Sequence, residues 1–420
     1  MPEIRPFCGL RFNATRTGAL DRVVTPPYDV ISPEERRELA RSPYSMVHLI
    51  LPQGGEGRTP YEAAAARLAA WIETGVLERD GAPLYYLLEQ SFRDPAGRER
   101  ARRGFFAVTR LPEAGDRCIL GHERTFPKPV EDRLALTRAT CANLGPVFAL
   151  YSDPEGVLAK FLDQMSTRPP DMTARTFEGT LNRVWRVAPD PAVAAFLKDK
   201  TLYIADGHHR FETARLYRDE MRAAGHTAAG GDTPCEFVLM GCVALEDAGL
   251  SVFPTHRVIA RRDGFDAKVL LRALEPWFDS ESVDVAALPE RLASDPAACA
   301  IGMVSRDRAV ALLRLRDIDR TALLGHDRGP AWRDLDVAVL HRGILERSLG
   351  LPPETEYGYE KEAAAAIRAV QEGRAEVAFL LRATRHDQIR ACAEAGEAMP
   401  QKSTYFFPKL PSGAVIHRLI

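Results

Sequence analysis

The run Asp206-Gly207-His208-His209-Arg210 packs an acid, two imidazoles and a guanidinium into five consecutive residues. It follows a short apolar stretch, Leu202-Tyr203-Ile204-Ala205, and precedes Phe211, Ala214, Tyr217 and Met221, which recur at three- and four-residue steps. That spacing predicts a strand, a break at Asp206-Gly207, and a helix that buries one face. In this reading Asp206 caps the helix through its carboxylate. His208, His209 and Arg210 then fall in the first turn, where the helix dipole disfavours each cation by about 0.3–1 kcal/mol. Such a stack calls for a compensating anion. Phosphate suits the place, because backbone N–H groups and the dipole both favour negative charge there. The plainer alternative is a capped surface helix with neutral, solvated imidazoles.

Four other clusters carry chemistry. Thr25-Pro26-Pro27-Tyr28-Asp29 is stiffened by two prolines and presents an acid just before a capped helix. It serves either as a rigid turn or as a site for a catalytic carboxylate. His122-Glu123-Arg124 sets base, acid and cation side by side in a segment with little helical character, so Glu123 rivals Asp29 as general base while His122 and Arg124 can clamp a phosphate. Arg257 in Pro254-Thr255-His256-Arg257 and Lys402 in Lys402-Ser403-Thr404-Tyr405 are further candidate phosphate ligands. The tail bearing Lys402 is expected to fold back and close the pocket. On the helix after Glu131, one of Arg133 and Arg138 can face the same ligand.

These segments also resemble a known family. Asp206-Gly207-His208-His209-Arg210 is similar to the phosphate-binding box of the ParB/sulfiredoxin superfamily. Together with Arg5-Pro6-Phe7-Cys8-Gly9-Leu10-Arg11, Thr25–Ser32, Gly121–Thr125, Pro254–Arg257 and Met399–Phe406, it resembles bacterial and archaeal proteins grouped as domain of unknown function 1015. The resemblance spans nearly the whole chain. It implies a ParB/sulfiredoxin-like α/β core and a relation to free serine kinases, which phosphorylate serine with ADP or ATP. On that basis Gly207, His208, His209 and Arg210 hold phosphates, and Asp206 caps the helix or places Mg²⁺. His209 joins Asp206 among the candidate catalytic groups. The first motif of those kinases carries a catalytic glutamate nearby, where this chain offers Asp29. The implied activity is transfer of phosphate from ADP or ATP to L-serine or a similar hydroxylated metabolite. Two other readings stay open: a nucleotide-dependent switch or slow NTPase like the superfamily's CTP-binding clamps, and a metal-dependent phosphate-ester hydrolase using Asp206, His208 and His209.

Missing motifs and bulk composition narrow the field. There is no G-x-x-x-x-G-K-[ST], no G-x-G-x-x-G opening a βα unit, no H-E-x-x-H and no G-x-S-x-G. Net charge is −2 with no basic tail, which argues against nucleic-acid partners. The seven cysteines lie far apart without C-x-x-C, and no apolar leader opens the chain, a pattern expected of reduced thiols in the cytoplasm. No apolar run approaches the ~18 residues of a membrane helix. The oligomeric state is not legible.

The elements that must position these groups read as mixed α/β. Ser32-Pro33-Glu34-Glu35 is a capping box opening a helix to Arg41, and Tyr61–Gly75 is an amphipathic helix. Strands are expected at Pro83–Phe92 and Gly104–Thr109 around an Asp94–Gly97 turn, and at Val147–Tyr151, Thr173–Phe177, Val184–Val187, Leu202–Ala205 and Glu236–Val243. Helices are expected at Glu131–Cys141 and Val157–Ser166. A chain of 420 residues exceeds the size of one core, so two domains are expected. The boundary is set where the pattern changes: a nucleotide-binding domain over 1–260 and a smaller α/β domain over 261–420, with helices at Leu335–Ser348 and Glu360–Glu372.

Overall fold

Continuous apolar runs make the central strands of a mixed sheet. Val147–Tyr151 and Phe237–Ala244 are buried along their whole length, as expected of strands covered on both faces. The computed structural model describes residues 1–55, 57–94, 97–262, 264–353 and 355–420. They group into two compact units: Met1–Gly121 with Thr125–Ser251 and Pro408–Ile420, and Val252–Phe407 with His122–Arg124. Where the sequence suggested one cut at 260, the chain leaves the first unit after Ser251 and returns to it at Pro408.

The first unit is built on a nine-stranded sheet. Its strands are β1 (Ile4–Arg5), β2 (Tyr85–Arg93), β3 (Glu99–Arg110), β4 (Ile119–Leu120), β5 (Val147–Tyr151), β6 (Met172–Arg175), β7 (Leu181–Val187), β8 (Leu202–Asp206) and β9 (Phe237–Ala244). The order is β4-β8-β5-β9-β3-β2-β7-β6, with β1 added to β3. β8 runs parallel to β4 and antiparallel to β5, while β5 and β9 are parallel. The hairpin of β2 and β3 forms as expected, from Tyr86 opposite Phe106 to Arg93 opposite Glu99. Two residues of its turn, Pro95 and Ala96, lie outside the described residues.

Six helices matter here: α1 (Pro33–Leu39), α2 (Pro60–Glu73), α3 (Pro127–Thr140), α4 (Val157–Met165), α5 (Pro191–Leu197) and α6 (His208–Ala223). Leu158 and Leu162 of α4, Val193 and Leu197 of α5, and Phe211 and Ala214 of α6 pack with Val147, Ala149 and Met240 of the sheet. Each large side chain fully buried in that way contributes about 1.5–3 kcal/mol. A second cluster joins Leu68 and Trp71 of α2 to Phe12 and Ile416, so the C-terminal segment is part of this core.

The second unit has its own six-stranded antiparallel sheet, built from β10 (His256–Ile259), β11 (Phe278–Ser282), β12 (Ala300–Ser305), β13 (Val310–Leu315), β14 (Gly358–Glu360) and β15 (Val377–Leu380). Two expectations are corrected there. The helix read over Leu335–Ser348 is α-helical only at Asp336–Ala338 and continues as a π-helix over Val339–Ser348. The helix read from Glu360 begins at Ala363, because Gly358–Glu360 pairs with His256–Val258 as an edge strand.

Candidate functional site

The site starts where β8 ends. The register between β8 and β5 shifts between Ile204 and Asp206, and a bulge of this kind re-aims the side chain beside it. Asp206 does not cap α6, contrary to the sequence reading. Its carboxylate takes Lys409 Nζ on Oδ1 and Arg210 Nη2, at 2.5 Å, on Oδ2. The N-cap is Gly207, at φ 91° and ψ 29°, and no side chain caps the helix. A β-carbon on residue 207 would come within 3.0 Å of the Arg210 guanidinium, so both the backbone and the close approach require glycine.

The expected stack of three cations resolves differently. Burial pushes His208 down to about 4, so it is neutral at pH 7. It is 6% exposed and packs under Gly121, where a β-carbon would come to 2.9 Å from its ring. Burial alone would raise the Asp206 carboxyl, but the Lys409 and Arg210 charges outweigh it and hold the group well below the usual carboxylate range. The compensating anion is therefore Asp206 itself. Two cations, Lys409 and Arg210, face that one carboxylate, which leaves positive charge in excess at the start of α6.

A second helix begins beside it. The Phe126 N–H donates to His209 Nε2 at 3.1 Å, and at the far end Arg138 Nε donates to Glu220 at 2.8 Å. Helices α3 and α6 thus run parallel with their N-termini together. Proline occupies the opening turn of α3, and no side chain caps that helix either. Two dipoles therefore direct positive potential to one place.

A pocket opens between these helices and the N-terminal motif, lined among others by Tyr28, Arg133, Asn143, Arg210, Thr213 and Ser412. Arg133 lies over the Tyr28 ring at 4.2 Å and donates to the Ile50 carbonyl at 2.6 Å. Burial and the neighbouring Asp29 push the Tyr28 phenol up to about 12. Asp29 itself is exposed, in the turn Tyr28–Val30. Thr213 is 3% exposed, and its hydroxyl has no hydrogen-bond partner among the described residues. Ser412 is held against the first motif by a pair of backbone bonds with Thr25, at 3.1 and 2.8 Å.

The remaining candidates belong to the second unit, each in surroundings of its own. His122 is 1% exposed, with Nε2 3.2 Å from Thr404 Oγ1 and its carbonyl accepting from Met399 N–H. Glu123 is partly exposed and Arg124 exposed. Arg257 is fully buried, which pushes it down to about 10. Its guanidinium donates to His341 Nε2 at 2.9 Å and to the carbonyls of Thr255, Gln401 and Lys402. Such a group ties three chain segments together. Lys402 is exposed, in a left-handed conformation with φ 54°.

The chain re-enters the first unit at Pro408, and Lys409, seven residues after Lys402, reaches Asp206. Lys409, Ser412 and Thr213 were missed by sequence reasoning. One signal for Lys409 was present: a lone lysine within Phe406-Phe407-Pro408-Lys409-Leu410-Pro411. A charge in such an apolar run must be buried, and a buried charge needs a partner.

Among the described residues, no group of three or more His, Cys, Asp or Glu is arranged to hold a metal ion, and no helix is long and apolar enough to cross a membrane. Structural likenesses are distant. A conserved hypothetical protein from Pyrococcus furiosus is 13% identical, with 70% of this chain and 90% of that chain covered and a TM-score of 0.34. A free serine kinase in complex with AMP is 12% identical, with 69% and 83% covered and a TM-score of 0.34. SbnI with a C-terminal truncation, from Staphylococcus aureus, is 13% identical, with 73% and 85% covered and a TM-score of 0.36. No curated protein matches the sequence. The family described as "Protein of unknown function (DUF1015)" matches residues 4–338, and the chain belongs to that family.

Proposed function

We propose that the first unit binds a nucleotide by its phosphates at the paired starts of α3 and α6 and transfers a phosphoryl group to a small hydroxylated acceptor, with L-serine the first to test. One observation carries this reading: two parallel helices begin together without side-chain caps, beside the excess positive charge of Lys409 and Arg210. Backbone N–H groups and the dipole at the start of α6 favour phosphate; α3, with Pro127 and Pro129 in its first turn, adds its dipole and the Lys128 N–H. Phosphoryl transfer asks for positioning and charge neutralisation more than covalent chemistry.

The adjoining pocket is suited to the acceptor. Arg133, Thr213 and Ser412 offer a cation and hydroxyls there. In the step itself the acceptor oxygen bonds to the terminal phosphorus as the phosphorus–oxygen bond to the leaving nucleotide breaks, and the hydroxyl proton passes to a carboxylate. Asp206 is a poor base because its partners hold it ionised. Asp29, at the exposed edge of the Tyr28 turn, is the preferred base. Mg²⁺ at Asp206 does not fit the donor set, since both carboxylate oxygens are engaged and no other ligand cluster accompanies them among the described residues. Neutralising the phosphates falls to Lys409, Arg210 and the two helix starts.

The test is turnover of ADP or ATP with and without acceptor. Phosphorylated product should accumulate only with acceptor present, and Asp29→Asn should cut turnover by about 10²–10⁴ while leaving nucleotide affinity nearly intact. Phosphate release at the same rate without acceptor would replace the kinase by a hydrolase or a switch.

A further inference from the structure

Resting on the nucleotide reading, we infer that Phe126 and His209 form a stacking platform for the nucleobase, so that the site selects a ligand with a flat aromatic ring and not phosphate groups alone. Phe126 is 44% exposed, in a chain that buries most of its aromatic rings. It stands immediately before Pro127 at the start of α3, where proline fixes the backbone that follows. Its ring lies against the His209 imidazole, with centroids 6.1 Å apart and planes inclined by 24°. The Phe126 N–H donates to His209 Nε2 at 3.1 Å. A nitrogen that accepts from an amide carries no proton, so while this bond holds His209 is the neutral Nδ1–H tautomer.

The platform is therefore two flat, uncharged rings held in place from two elements. A single exposed ring is ordinary on a protein surface; what sets Phe126 apart is where it stands. It borders the two uncapped helix starts and the excess positive charge that suit phosphates. A ligand with phosphates there and an aromatic ring attached would meet both features, which is the make-up of a nucleotide. An acidic peptide or a sugar phosphate would meet only the first. Bases stack on aromatic side chains with little regard to sequence, since every base has a π-face, so purine and pyrimidine nucleotides are both accommodated.

The experiment compares three probes by calorimetry: pyrophosphate, ribose 5-phosphate and ADP, on wild-type protein, Phe126→Ala and Phe126→Trp. Wild type should bind ADP more tightly than either base-free probe. Phe126→Ala should weaken ADP by roughly tenfold or more and leave pyrophosphate within about twofold. Phe126→Trp should retain ADP affinity, and the fluorescence gained over wild type should be quenched by ADP and not by pyrophosphate. Unchanged ADP affinity in Phe126→Ala, with pyrophosphate still bound, overturns the platform and leaves the phosphate reading standing. Absence of binding by all three probes to the wild type overturns both. Should Phe126→Ala fail to fold, quenching in Phe126→Trp decides, and its absence at saturating ADP counts against the platform.

Discussion

The six labelled helices of the first unit begin in two ways. α1 and α2 open with complete capping boxes, Ser32 with Glu35 and Thr59 with Glu62. α4 has its first N–H groups taken by the Asp153 carboxylate, and α5 is capped by Asp190. α3 and α6 have no side-chain cap, and these two start side by side. Asp206 stands where a capping acid belongs in front of α6, yet its oxygens are drawn off to Lys409 and Arg210. A carboxylate in the cap would compete with an incoming anion, whereas one held aside by two cations leaves the helix start electropositive. On the proposed reading, the contrast separates helices that serve only the fold from helices whose ends take the ligand.

That contrast can be broken from several sides. The largest effect is expected at the ion cluster. Asp206→Asn leaves Lys409 and Arg210 without their carboxylate at a site only 12% exposed, and should lower stability by about 3 kcal/mol in denaturant melts. An unchanged melt would mean that the cluster does not organise the helix start.

The pH dependence of stability is next in size. His208 is held down to about 4 in the folded protein, from an ordinary 6.5. The unfolded chain therefore binds a proton here more readily, so stability falls as pH drops from about 6.5 toward 4, by up to about 3 kcal/mol. His208→Gln should flatten that part of the curve relative to wild type. Asp206 acts in the same direction at lower pH. Its depressed folded pKa contributes stability that is complete above the ordinary carboxylate range and is lost only as pH falls below it.

Arg210→Ala tests binding more than folding. Losing a charge-assisted phosphate contact should cost about 1.5–3 kcal/mol of nucleotide affinity, read by calorimetry, and more than it costs in the melt. The smallest effect is expected at an ordinary cap. Ser32→Ala should lower stability by about 1 kcal/mol and leave nucleotide affinity untouched.

Much of the scaffold was legible in the chain because its signals are local. The box at Ser32–Glu35, the amphipathic repeat of α2 and the apolar run Val147–Tyr151 each declare themselves within a few residues. The break at Asp206-Gly207 is equally local. What escaped depends on pairings far apart in sequence. Lys409 meets Asp206 across 203 positions, and Ser412 meets Thr25 through backbone bonds that no side-chain pattern announces. The role of Asp206 turned on that arrival. With Lys409 absent from the reading, an acid before a helix looked like a cap. The same distance effect groups His122–Arg124 with the second unit, although Thr125 and Phe126 next to them belong to the first.

The central claim is that the uncapped starts of α3 and α6 take the phosphates, and hydrogen exchange read by mass spectrometry tests it most directly. On adding ADP, peptides covering 126–131 and 206–211 should exchange more slowly, while those covering 32–36 and 59–63 should not change. Protection at neither of the two open starts, with ADP shown to be bound, would contradict the account.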